Sequence, residues 1–476
     1  MTRVPRVENE TIPMKRAWNR VKPVARLTGA LALILTGCGS SSHGARNGDG
    51  GSGGSAGEET FADLTEAPLE TLPANLFGVL LDKSDAEVED KVNTAVNRFF
   101  GIGTNESAQP VVAEGYRCYY ELPQDPTLAF IWAPDSNDIR SEGMSYGMMV
   151  AVQRNLHEQF DRLWNFTKTY LQFPADSPIT AWRNYFRWQG RVDTTDPTSW
   201  VVNYGATTVP APDGDEYFAA ALFLAHRRWG SDGAVNYLEE AKRISTSLLH
   251  NEPSPATPED NANRFRIIHE AENMVTFVPI NASNNFSDPS YHLPAFYDLF
   301  ALDGAAEDSA AWTSVAETSR DYLVRSAHPE TGLHPDYASF AGIPVAGNQG
   351  SHDQFRFDAW RVVMNMAVDY AWFSRDARMM TQVEKYQRFF ATRLTDNDVQ
   401  NQLFTLDGTT PSGGGSTALT ATLAAGSLAS RHQDRTRFVS NLWDVAQQQG
   451  QYRYYQEGVY LLGLLNVAGQ FKFEWQ

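Results

Sequence analysis

Seven segments of this chain space their apolar residues at helical period, and several of them have almost no polar face. "DEYFAAALFLAHRRWG" (215–230), "STALTATLAAGSLAS" (416–430) and "EGVYLLGLLNVAGQF" (457–471) are the clearest. A surface helix carries one apolar stripe, so a helix apolar nearly all round has to be covered by neighbours on more than one side. Loops rich in Pro, Gly, Asp and Asn separate the segments, and few stretches alternate with period two. The pattern predicts one mostly α-helical domain over residues 60–476, with long loops left for function.

The residues before that domain read differently. "MKRAWNRVKPVARLTGALALILTGC" (14–38) combines a basic start, a short apolar run from Leu27 to Leu35, and Leu35-Thr36-Gly37-Cys38. The run is too short to span a bilayer and fits an export signal. Its last four residues resemble a bacterial lipobox, in which Cys38 becomes the lipidated first residue. Residues 39–59 hold thirteen Gly or Ser among twenty-one. That tract is a flexible tether with a reach of about 25 Å. The expected layout is a signal over 1–38, a tether over 39–59 and the helical domain over 60–476. Gly39 and Ser40, in place of an acidic retention signal, point to the outer membrane, facing the periplasm or the cell surface. The membrane is then met only through the anchor.

A formal charge of −18 argues against nucleic acid or an anionic membrane face as partner, and suits a neutral substrate. Two cysteines give no disulfide framework, and Cys118 reads as a small buried residue. The ten histidines form no zinc-ligand spacing. No metal or organic cofactor is expected.

Three carboxylates each stand in a turn that feeds an apolar helix: Glu142 in "RSEGMSYGMM", Asp213 in "VPAPDGDEYFAAALFLA" and Asp358 in "FRFDAWRVVMNMA". Ser141 reads as the N-cap of the first helix, with Tyr146 and Met149 on the face of Glu142. Gly143 and Gly147 leave room for a helix or a ligand to come close. A positive helix end lowers the pKa of Glu142, whereas a general acid needs it raised by burial or by another carboxylate. Read alone, Glu142 is a solvated cap. Asp358 has Arg361 three residues on and Asn365 seven on, a polar stripe that serves a general base or a buried structural ion pair. Asp213, between Pro212 and Gly214, is a turn residue that needs no further role. Two Arg among the aromatics of "WRNYFRW" (182–188) tilt that segment towards a sugar-stacking loop.

At this point the sequence resembles glycoside hydrolase family 8. "SEGMSYGMMVAVQ", "APDGDEYFAAALFLAHRRWG", "SDPSYHLPAFYDLFA", "FRFDAWR" and "YRYYQEGVYLLGLLNVAGQF" are similar, in order, to stretches of its xylan-directed members, above all the reducing-end xylose-releasing exo-oligoxylanases. The resemblance implies an all-α (α/α)6 barrel that hydrolyses β-1,4-xylosidic bonds with inversion, releasing xylose from the reducing end of xylooligosaccharides. It makes Glu142 the general acid, Asp358 the general base and Asp213 the residue that holds the sugar. Tyr291 helps hold the attacking water and Arg361 partners the base. Trp182, Tyr146 and Tyr455 are expected against the sugar, in a monomer. In the exo-acting members a histidine-bearing loop closes one end of the cleft; residues 403–420 here carry three consecutive glycines and no histidine. Endo cleavage of xylan, or of another β-1,4-glycan such as a glucan, is therefore the alternative, and a glycan-binding lipoprotein without catalysis is the rival of another class.

Overall fold

The structure is a computed structural model that describes residues 63–65, 74–204, 208–252, 263–281, 283–347, 350–374 and 376–475. These belong to one compact unit, Glu59–Gln476. The expected signal, lipobox Cys38 and tether fall outside the described residues.

The chain forms α1 (Leu76–Leu81), α2 (Asp85–Phe100), α3 (Ser141–Gln153), α4 (His157–Phe166), α5 (Pro212–Trp229), α6 (Tyr237–His250) and α7 (Pro294–Asp303). There follow α8 (Ser309–Ser326), α9 (Val362–Asp369), α10 (Ala377–Ala391), α11 (Thr417–Gly426), α12 (Arg435–Asp444) and α13 (Arg453–Val467). The odd-numbered helices from α3 onward pack each on the next, and α13 closes on α3. The even-numbered ones lie outside, each against its inner neighbour. This is an (α/α)6 barrel, as expected.

Patterning explains which helix goes where. All ten residues of α11 are buried, and in α3 every residue is buried except Glu142. An outer helix such as α2 buries only Val88, Val92, Ala95, Val96, Phe99 and Phe100, a stripe at spacings of three and four. Its ends are marked in sequence, by a Ser84/Glu87 capping box and by Gly101 in the left-handed conformation.

The sequence did not announce a sheet. β1 (Tyr119–Leu122), β2 (Asp125–Ala133), β3 (Asp138–Arg140), β4 (Gln189–Asp193) and β5 (Val201–Asn203) form an antiparallel sheet in that order. The last five residues of β2, Ala129 to Ala133, are all buried, so this strand reads as an apolar run and carries no alternation. β3 leads directly into α3, and the Ser141 N–H donates to the Trp188 carbonyl at 3.0 Å. The sheet thereby fixes the end of the helix that bears Glu142.

Candidate active site

The inner helices direct their N-terminal ends to one side of the barrel. Glu142 lies in the first turn of α3, Asp213 in the first turn of α5, and Arg361 immediately precedes α9. Together with Asp358, on the 3-10 turn Phe357–Arg361, they meet at a single guanidinium. Arg361 Nη1 donates to Glu142 Oε1 at 3.0 Å, to Asp213 Oδ2 at 2.9 Å and to the Tyr146 hydroxyl at 2.5 Å. Nη2 donates to Asp358 Oδ1 at 2.9 Å and to Ser290 Oγ at 2.8 Å. Because Glu142 and Asp358 share one planar group, their bonded oxygens lie no more than about 8 Å apart, close enough to flank one glycosidic bond with a water between.

Three carboxylates gather around Arg361, with Arg140 as the further cation facing Glu142, and the remaining negative excess favours one retained proton. Glu142 retains it. Burial, helped by the neighbouring Asp213 and Asp358 and opposed by Arg361, raises its pKa to about 7. Burial also holds Asp213 above the usual carboxylate range although Arg361 touches it. The helix-end effect that favours ionisation of Glu142 is thus outweighed by loss of water. The side chains of Glu142 and Asp358 are 15% and 30% exposed, and both border a cleft of about 570 Å3. Phe357, Trp360, Tyr452 and Tyr455 give it aromatic walls. Tyr452 is 65% and Phe357 42% exposed, an unusual degree for large rings unless a partner covers them.

The remaining expectations divide. Tyr455 lines the cleft, its hydroxyl donating to the Phe357 carbonyl at 2.8 Å. Tyr291 is buried with its ring 5.8 Å from the Arg361 guanidinium. Tyr146, also buried, is edge-on to Tyr217 and presents only its hydroxyl, to Arg361, so it braces the site and offers no sugar-stacking face. Trp182 is a correction. It is 3% exposed, packs on Phe173 and donates its indole N–H to the Pro279 carbonyl, outside the residues that line the cleft. The arginines of its segment serve carbonyls: Arg183 that of Ser177, Arg187 those of Leu171 and Gln172. Their charge satisfies a loop, where it had suggested a ligand.

Ser141 is also corrected. Arg140 is the N-cap of α3, without a side-chain hydrogen bond. The buried Ser141 hydroxyl is pressed against Gly214, where a Cβ would come within 2.5 Å of it, and it finds no partner. The room at Gly143 and Gly147 is used by protein. A Cβ at Gly143 would collide with the Tyr454 ring, and one at Gly147 would come within 2.8 Å of Ile131.

Several site residues were not anticipated. Ser290 accepts from Arg361, and its carbonyl accepts from Asn365 Nδ2 at 2.8 Å. Tyr454 donates to Glu142 Oε2 at 3.0 Å. Ser290 adjoins Tyr291, and Tyr454 adjoins Tyr455, within segments already singled out. Nothing in their spacing marked them.

Comparison with known proteins agrees with the fold. Residues 132–469 match the model of "Glycosyl hydrolases family 8". The chain is 36% identical over 370 residues to a reducing-end xylose-releasing exo-oligoxylanase of Paenibacillus barcinonensis, covering 75% of this chain and 88% of that one. It is 34% identical over 397 residues to the enzyme of the same name from Halalkalibacterium halodurans, covering 82% and 91%. Its structure is similar to that of a Teredinibacter turnerae xylanase, a catalytic mutant in complex with xylohexaose. The TM-score is 0.72 at 36% identity, over 84% of this chain and 97% of that one.

Proposed function

The chain belongs to glycoside hydrolase family 8, and from that premise we propose that it hydrolyses β-1,4-xylosidic bonds of xylooligosaccharides, releasing xylose from the reducing end. The observation that carries the reading is the pair of unequally exposed carboxyls held by one guanidinium in an aromatic cleft. Glu142, which keeps its proton to about pH 7, delivers it to the departing glycosidic oxygen. Asp358, in freer contact with water, removes a proton from the water that attacks the anomeric carbon from the opposite face, and the configuration inverts. Asp213 holds the sugar at the cleavage site, and its charge helps Glu142 keep the proton. Tyr291 steadies the water, and Arg361 sets the spacing of the three carboxylates. The cleft rings, Tyr455 among them, stack on the apolar faces of the sugars.

Endo cleavage of polymeric xylan is the second reading, and a specific feature favours it. Residues 403–416 form a short hairpin, Leu403–Phe404 with Pro411–Ser412, followed by Gly413, Gly414 and Gly415. Gly415 borders the cleft with no side chain to close it. Product analysis on xylotetraose and on xylan, with Glu142→Ala alongside, separates the readings. Xylose trimmed from the reducing end of xylotetraose, with polymer barely touched, is the expected result. A ladder from polymer establishes endo action, and no release by wild type and variant alike removes the xylan assignment.

Lipobox and tether support an exported, outer-membrane lipoprotein. Labelled palmitate should enter the wild type and not Cys38→Ala.

A further inference from the structure

Glu142 is held at both oxygens, by groups of different kinds. Arg361 donates to Oε1 and Tyr454 to Oε2, each at 3.0 Å. The Tyr454 ring is buried, with the Arg140 guanidinium 5.3 Å from its centroid and α3 against it at Gly143, the one residue that fits there. The ring therefore lies tight against α3 beside Glu142.

A guanidinium has donors only, so it favours a bare oxygen at Oε1. A phenol hydroxyl donates and accepts, so it tolerates Oε2 with or without a proton. Resting on the reading of Glu142 as general acid, we propose that Tyr454 is a positioning residue that, opposite Arg361, keeps the catalytic proton on Oε2 and aims it at the glycosidic oxygen. When the bond breaks, its electron pair goes to that oxygen, which takes the proton from Oε2. The Tyr454 O–H then donates to the new carboxylate. The water's proton goes to Asp358, so protons balance across the site with no further reactant.

The charged groups that face Glu142 are Arg361, Asp213, Asp358 and Arg140, with the hydroxyls of Tyr146, Tyr217 and Tyr455; Tyr454 itself is faced by Arg140 and Asp138. None of these changes in Tyr454→Phe. The test compares that variant on xylotetraose and on β-xylobiosyl fluoride, whose leaving group needs little protonation. On xylotetraose kcat should fall roughly 10-fold with KM nearly unchanged, and on the fluoride by less than about threefold. The alkaline limb on xylotetraose should move to higher pH, because the carboxylate loses a donor. Equal losses on the two substrates would reduce Tyr454 to a packing role, and no loss on either would leave it none; both overturn the proposal. Glu142→Gln is the reference. If it too lowers both substrates equally, Glu142 is not the acid, and the proposal falls with that reading.

Discussion

Glu142 and Asp358 are both carboxylates, and both bond to Arg361 at about the same distance, 3.0 and 2.9 Å. They differ in what else surrounds them. Glu142 sits in the first turn of an inner helix, bonded to Tyr454 of the neighbouring inner helix, with 15% of its side chain exposed. Asp358 sits on a 3-10 turn at the rim with twice that exposure. Burial raises the pKa of the first to about 7 even though a cation touches it. Contact with water, more than the shared ion pair, therefore distinguishes the two carboxylates, and it carries their proposed division into acid and base.

The comparison breaks most visibly when one member loses its chemistry. Glu142→Gln should lower kcat on xylotetraose by on the order of 10³-fold or more, and spare much of the activity on β-xylobiosyl fluoride. Asp358→Asn should lose as much on both, since water must be deprotonated whatever the leaving group. If the two variants discriminate between the substrates alike, the assignment of acid and base is wrong. Asp213→Asn comes next, with a loss of roughly 10²-fold. It also removes a negative neighbour that raises the pKa of Glu142. The alkaline limb, expected near pH 7 in the wild type from the pKa of Glu142, should move to lower pH, read from kcat/KM across pH 5–9.

How far the sequence foretold this pair depends on the kind of signal. The inner helices were legible because an apolar surface on every side permits only an enclosed position. Asp358 and Arg361, three residues apart, announced their own ion pair. The roles of Glu142 and Asp213 came from the resemblance, because a carboxylate in a first turn is ordinarily a cap. What lifts Glu142 out of that class is burial, with Tyr454, 312 residues further on, bonded to its Oε2. Trp182 misled for the converse reason. Aromatic and basic residues side by side suit a sugar platform and a braced loop equally, and only the carbonyls that Arg183 and Arg187 meet decide. Local composition shows what a residue can do, and distant contacts choose among the options.

A smaller change tests the packing behind the comparison. In Gly143→Ala the new methyl group collides with the Tyr454 ring on the flank of Glu142. Overpacking of this kind costs about 1–3 kcal/mol. Thermal unfolding should fall by several degrees, and kcat should drop more than it does in Trp182→Phe, whose ring lies outside the cleft.

Glu457 supplies the control, a carboxyl as deeply buried as any in the site but without the cleft. It lies in α13, accepts from Gln447 Nε2 at 2.8 Å and from the Gln448 N–H, and burial raises its pKa to about 8. A carboxyl with a higher pKa folded than unfolded stabilises the fold fully below its unfolded value. That contribution is lost as pH rises through the folded value. Urea midpoints of the wild type should therefore decline between pH 5 and pH 8.5. Glu457→Gln, which cannot ionise, should flatten the decline while changing kcat by less than about twofold. An unchanged slope would mean that Glu457 reaches water in solution, and that burial alone is a poor guide to proton affinity in this barrel. The same slope measured in Glu142→Gln then isolates the part of the pH dependence that belongs to the proposed catalytic acid, whose buried proton would serve both the fold and the reaction.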